Sequence, residues 1–398
     1  MMSMSWLRYN PSIPKREPSR LRVIVMRVFK KILKISGVLL AVVVLVGGLF
    51  LAHSWYFKPV NINLFFARTM MQVMAESPEM LSTLRVLEPM GIKGHNAKLD
   101  DESLAAGDRF LQQLKDNYEV LMSYDDEDLS EADRMSKDIA AFMLGNIVEA
   151  EQFRFLNFPV NQMFGVQSSF PSFMESTHQI DSVRDAEDYV KRLNAVGIKF
   201  DQVLEGLNRR EELEIYPPQF LVTKVLEEMQ NFIATPVEEG ILMVSLLDKM
   251  EEAGLDEEDQ ERIALEARAA ITDTVYPAYE RLIAHFEALD EVVEYNRGAW
   301  SLPGGEDYYR LMLKLMTTTD YTPQYIHEIG LAEVDRIQAE ILDILAGEGW
   351  DVSGGFTAAI EEMADSPQFY FSDSDEGREQ ILAEYTSLIE EIAGDLDP

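Results

Sequence analysis

Residues 182–207 read S-V-R-D-A-E-D-Y-V-K-R-L-N-A-V-G-I-K-F-D-Q-V-L-E-G-L. Ser182 followed three positions later by Asp185 is a capping pattern for a helix start. Behind it Tyr189, Leu193, Val196, Phe200, Val203 and Leu207 recur every three or four residues. That spacing gathers them on one helical face as a core-facing stripe, where a strand would need alternation. The same pattern repeats outward in both directions. Ser130 and Asp133 open a helix in which Ile139, Phe142, Met143 and Ile147 keep helical spacing, as far as about Phe155. Pro217 and Pro218 end the connector after residue 207, and the next helix runs to about Phe232. A helical stretch at residues 256–289 contains Pro277, which lacks a backbone donor and predicts a kink or split. Thr322 before Pro323 opens a helix to about Leu345, and Asp375 is expected to cap a last one over residues 376–392. The fold class is therefore mainly α, a large multi-helix body. Two stretches interrupt it. Residues 158–174, F-P-V-N-Q-M-F-G-V-Q-S-S-F-P-S-F-M, read as an apolar loop buried against the body. Residues 298–309, G-A-W-S-L-P-G-G-E-D-Y-Y, read as a short hairpin or tight turn presenting aromatics, so one or two short hairpins are expected.

Upstream of the body lies I-S-G-V-L-L-A-V-V-V-L-V-G-G-L-F-L-A, uncharged from Ile35 to Ala52. As a helix it spans about 27 Å, enough to cross a bilayer core. Trp55, Tyr56 and Phe57 follow as interfacial rings. Nine basic residues precede it (Arg8, Lys15, Arg16, Arg20, Arg22, Arg27, Lys30, Lys31 and Lys34) against one acid, Glu17. The positive-inside rule keeps that end in the cytoplasm. A cleaved signal peptide would have a shorter basic region and small residues at a cleavage site, whereas this run ends L-F-L-A-H-S-W. The expected organisation is a basic cytoplasmic tail at 1–34, a single-pass inner-membrane anchor at 35–57 held in the lipid bilayer, and a periplasmic or extracellular body at 58–398.

The chain carries 35 basic and 70 acidic residues, and beyond residue 34 the balance is 26 to 69. A body so acidic repels nucleic-acid phosphates, so no nucleic-acid partner is expected, and it does not lie flat on an anionic membrane surface. With no cysteine, disulfides and thiolate metal sites are excluded.

Catalytic constellations are scarce. The five histidines are His53, His95, His178, His285 and His327. A zinc-peptidase helix needs H-E-x-x-H, which projects two imidazoles from one face with a general base between them. His327 and Glu328 begin it, but Leu331 stands where the second histidine belongs. Gly304 and Gly305 lack phosphate-loop spacing and a following lysine. Asp373, Asp375 and Glu384 fall at calcium-loop offsets, yet Arg378 occupies the obligatory glycine position. No G-x-S-x-G elbow occurs. The candidates for ligand contact are Arg297, Trp300, Tyr308 and Tyr309, with Trp300 alternatively plugging a helix junction. His178 is a further candidate whose competing reading is a satisfied buried histidine.

Further segments stand out together: E-S-P-E-M-L-S-T-L at 76–84, F-P-V-N-Q-M-F-G-V-Q at 158–167, A-E-D-Y-V-K-R-L at 186–193 and Y-P-P-Q-F at 216–220. The longest is the run from G-A-W-S-L-P-G-G-E-D-Y-Y through T-T-T-D-Y-T-P-Q-Y-I-H-E-I-G-L-A-E-V, residues 298–334. In this order and spacing they resemble the bacterial domain-of-unknown-function family 885, grouped with thermolysin-like gluzincin metallopeptidases. The resemblance implies the helical half of a gluzincin-type peptidase, with Arg297, Trp300, Tyr308, Tyr309 and His178 as candidate lining of a substrate cleft and peptides as candidate ligands. It also implies that zinc belongs to the complete family domain. An H-E-x-x-H helix and a later glutamate would lie beyond Pro398, so no catalytic residue, zinc ligand or cofactor is assigned within this chain. Such a chain is expected to be inactive alone, and to expose an apolar face that a missing C-terminal half or a partner covers. The alternative is a non-catalytic, membrane-tethered binding or scaffold module. A helical envelope sensor is a third reading, disfavoured because a 34-residue tail is too small for a signalling domain.

Overall fold

The computed structural model describes residues 20–293 and 295–395. The basic residues Arg8, Lys15 and Arg16, with Glu17, lie outside the described residues. Among those described there are helices and turns but no strand. The chain divides into two compact units, the first ending at Tyr308 and the second beginning at Tyr309.

The first unit begins with α1 (Arg20–Tyr56), which includes the expected anchor; its stretch Leu33–Tyr56 is long and apolar enough to cross a membrane. None of that stretch's apolar side chains is buried in the protein. Then follow α2 (Ile62–Glu76), α3 (Pro78–Leu84), α4 (Leu104–Met122), α5 (Glu131–Glu149) and α6 (Val166–Ser176). The central helix α7 (Val183–Glu212) is followed by α8 (Gln219–Ala234), α9 (Ile241–Glu252), α10 (Glu257–Ala270) and α11 (Tyr276–Asp290). Ser182 caps α7, accepting from the Asp185 amide and donating to the Asp185 carboxylate at 2.7 Å. All six residues of the α7 stripe are buried, packed with α9, α10 and α11 into one core. Phe200 stands edge-on to Tyr279 at 5.0 Å and to Phe170 at 6.3 Å. Burying each large apolar side chain of this stripe contributes roughly 1.5–3 kcal/mol to the stability of the unit.

Prolines shape two of these helices. Between α10 and α11 the backbone widens into a π turn, Ile271–Val275, in which the Tyr276 amide donates to the Ile271 carbonyl. Pro277 supplies no donor and its ring would strike the carbonyl four residues back, so the extra residue per turn keeps the helices continuous. Residues 158–174, expected as loop throughout, become helical from Val166, with Pro171 inside α6. The carbonyl that Pro171 leaves free is that of Gln167, and it accepts the hydroxyl of the fully buried Tyr279. A tertiary hydrogen bond thus replaces the helical one.

Of the two expectations for residues 298–309, a short hairpin or a tight turn, the structure forms the tight turn and no hairpin. Successive three-residue hydrogen bonds, Ser301 to Gly298 and Leu302 to Ala299, coil Ala299–Ser301 into a 3-10 turn and use the donors that paired strands would exchange. The chain then folds so tightly into α12 (Gly305–Thr317) that a Cβ on Gly305 would fall 1.7 Å from the Ala299 carbonyl oxygen. On α5 the residues Ile139 and Met143 are exposed, and Ala140, Ala141 and Leu144 pack instead on a small second core of Ile62, Phe65, Leu121 and Tyr124.

The second unit holds α13 (Pro323–Gly347), α14 (Phe356–Ala364) and α15 (Asp375–Asp395). Thr322 caps α13 through the Tyr325 amide. Ser374, not Asp375, caps α15 through the Gly377 amide, and Asp375 lies inside the helix. Leu345 and Ala359 are buried, and Trp350 stacks on Phe369 at 6.1 Å. By contrast Leu331, Val334 and Ile344 on α13, and Leu382, Tyr385, Leu388, Ile389 and Ile392 on α15, are half or more exposed.

Candidate functional site

A cavity of about 620 Å³ opens in the first unit, within the size range of small-ligand sites. Three chain segments wall it: Leu156, Asn157, Phe158 and Asn161 before α6; Glu214, Tyr216, Pro217, Pro218 and Leu221 between α7 and α8; and residues from Val292 to Tyr308. The first segment is fixed by local contacts and the other two by a contact between them. Asn161 accepts the amides of Met163 and Phe164 and donates to the Phe158 carbonyl, closing a turn of F-P-V-N-Q-M-F-G. That turn is so close that a Cβ on Gly165 would lie 2.4 Å from the Asn161 backbone. The third segment is tied to the second because the Phe220 amide donates to Asn296 at 2.8 Å.

The walls are mixed in character. Phe158, Leu221, Val293, Leu302 and the rings of Tyr216, Tyr295 and Tyr308 supply apolar surface, while Asn157, Asn161 and Ser301 supply neutral polar groups. One carboxylate, Glu214, and one guanidinium, Arg297, complete the lining, and Arg297 lies over the Tyr295 ring at 5.0 Å. Tyr308 is set by a tilted contact with Phe153 at 5.8 Å. This set can hold a ligand with apolar groups and both hydrogen-bond donors and acceptors. It does not fit a zinc ion, because it offers a single carboxylate and no imidazole. Among the described residues no group of three or more histidines and carboxylates is placed to hold a metal.

Of the residues singled out from sequence, Arg297 and Tyr308 come together in this cavity. Trp300 is 72% exposed, and its ring lies back over Gly298, so it plugs no helix junction. Tyr309 is half exposed, belongs to the second unit and does not line the cavity. His178 lies elsewhere, fully buried. Its Nδ1 accepts from Arg192 at 2.8 Å and its Nε2 donates to the Asp185 carbonyl at 2.9 Å. Burial, and then the Arg192 charge, push its pKa down to about 3, so it stays neutral. The same Arg192 donates to the Lys98 carbonyl and Ser82 hydroxyl, pinning the segment before α4 against α7. His178 is thus a tautomer-fixed part of a buried clamp. Sequence reading overlooked Tyr216, Tyr295, Asn157, Asn161 and Glu214 as cavity residues. The signal available was the proline-rich, aromatic character of F-P-V-N and Y-P-P-Q-F.

Two solved structures share the fold. One, from Colwellia psychrerythraea and described as a candidate lipoprotein, is 20% identical with a TM-score of 0.74 and covers 84% of this chain. The other, a candidate lipoprotein of unknown function from Shewanella oneidensis, is 13% identical with a TM-score of 0.57 and covers 85% of this chain. This chain spans 60% and 59% of their respective lengths. No curated protein matches it. Residues 87–397, which include the cavity, match the family described as Bacterial protein of unknown function (DUF885), and the chain belongs to that family.

Proposed function

We propose that this protein is a membrane-tethered, peptide-binding body of the bacterial cell envelope, related to gluzincin-type metallopeptidases. One observation carries the reading. F-P-V-N, Y-P-P-Q-F and G-A-W-S-L, three of the separate stretches on which the family resemblance rests, meet around one cavity although 140 positions separate the first from the last. A peptide suits that cavity because its backbone offers donors and acceptors to Asn157, Asn161 and Ser301 while its side chains pack on Phe158, Tyr216 and Tyr308. Arg297 then selects a carboxylate or carbonyl at one end of the peptide.

The anchor, Ile35 to Ala52, holds the body outside the cytoplasm, with the N-terminus inside. The lipoprotein descriptions of both solved neighbours support a membrane-tethered setting. Hydrolysis, in this proposal, depends on a zinc site contributed from outside these 398 residues. The exposed apolar faces of α13 and α15 support a further polypeptide or partner packing there. A binding or scaffold module without catalysis is the second reading, and it shares the same cavity.

The test is fluorescence anisotropy of labelled peptides with the full chain in nanodiscs. Arg297→Ala and Tyr216→Ala are each expected to weaken binding by about tenfold. No binding by the wild type, or unchanged affinity in both variants, would overturn the assignment. Metal analysis of the same sample separates the catalytic question, since stoichiometric, tightly held zinc would refute placing the zinc site elsewhere.

A further inference from the structure

A second cleft of about 480 Å³ lies between α4, the end of α5 and α7. Its walls are apolar, with Leu104, Phe110, Leu114 and Ile147 among them, and its polar end is built on Arg210. Arg210 is 8% exposed, and its three hydrogen bonds all go to neutral oxygens: the Asn157 carbonyl, the Asn157 side-chain oxygen and the Gly206 carbonyl. A guanidinium has five N–H bonds, so two remain. No carboxylate pairs with it among the described residues, in a chain with two acids for every base. Burying an unpaired charge is costly, and desolvation accordingly pulls its pKa down to about 10.

The neighbouring charges leave that deficit in place. Arg154 also lines the cleft, and both guanidiniums lie over the Phe155 ring, at 4.7 Å for Arg154 and 5.5 Å for Arg210. Arg154 is paired with Asp108. The two acids of the lining are already engaged, Glu102 by Lys199 at 3.4 Å and Glu151 by Lys115 at 2.6 Å. The cleft therefore presents a buried positive charge at the end of an apolar trough.

We propose that this cleft binds an apolar carboxylate, with the ligand's carboxylate on Arg210 and its hydrocarbon part along Leu104, Phe110, Leu114 and Ile147. The chemistry is common to a fatty acid and to the C-terminal residue of an apolar peptide. The inference stands apart from the peptide cavity, although Asn157 lines both spaces.

Isothermal titration of the full chain in amphipol tests it with octanoate, octanol, N-acetyl-leucine and N-acetyl-leucinamide. Each acid is expected to bind about tenfold or more tighter than its uncharged counterpart, because a charge-assisted hydrogen bond to a buried guanidinium is at stake. Tighter octanoate identifies a lipid source, and tighter N-acetyl-leucine identifies a peptide terminus. Arg210→Gln should erase the preference for the acid. Ala150→Trp, which fills the cleft from a partly exposed position in the 3-10 turn just after α5, should abolish binding with an unchanged melting temperature. No binding of either acid, equal affinity for acid and neutral analogue, or undiminished binding by Ala150→Trp would overturn the proposal.

Discussion

The buried pair of His178 and Arg192 makes a prediction that separates scaffold from chemistry. Protonating His178 in place requires a hydrogen on Nδ1, where Arg192 already donates at 2.8 Å. The ring's other nitrogen is committed to the Asp185 carbonyl. The folded pKa is therefore lowered to about 3 from an ordinary 6.5. A depressed folded pKa means that the unfolded chain binds the proton first, so the stabilising contribution is complete above pH 6.5 and declines as pH falls toward 3. At 1.36 kcal/mol per pH unit, the loss reaches about 2 kcal/mol at pH 5 and about 4 kcal/mol at pH 3. His178→Gln keeps a side chain that both donates and accepts but does not titrate. Urea unfolding of the full chain, followed by far-ultraviolet circular dichroism at pH 7 and pH 5, measures the difference. The wild type should lose about 2 kcal/mol more than the variant between these two pH values, while His95 and His285, also lowered by burial, cancel because both proteins contain them. Equal losses would show that His178 is not held neutral and refute the clamp.

Gly305→Ala should destabilise the first unit by more than about 2 kcal/mol and weaken peptide binding, since the added Cβ would displace the Ala299 carbonyl that borders the cavity; thermal melting and anisotropy check the two effects. Thr322→Ala removes the cap at the start of α13 and should lower the stability of the second unit by about 1 kcal/mol, read as faster amide exchange confined to α13.

Much of this protein could be read from local pattern. The caps Ser130, Ser182 and Thr322, the α7 stripe and the helix irregularity next to Pro277 all follow from rules acting within a few residues. Local rules also misled. Pro171 reads as a helix breaker until Tyr279, 108 positions later, supplies the missing partner to Gln167. Residues 298–309 read equally as a hairpin or a tight turn, and donors spent three residues back along the same chain select the turn. Ile139 and Met143 have the period of a core face, and packing chose the adjacent face of α5.

The cavity shows the same division. Arg297 and Tyr308 were visible as candidates because unusual residues cluster there, and Tyr216 and Asn161 were not, since nothing local says which loops will meet. Arg210 was silent altogether: in sequence it is one of two adjacent arginines at a helix end, and only burial without a carboxylate sets it apart. The sequence by itself determined the helical class, the apolar run from Ile35 to Ala52, the acidic body and most helix starts, because periodicity, capping and charge are properties of neighbouring residues. Tertiary structure alone decided which segments converge and which charge is left without a counterion, because both depend on contacts between residues far apart in the chain.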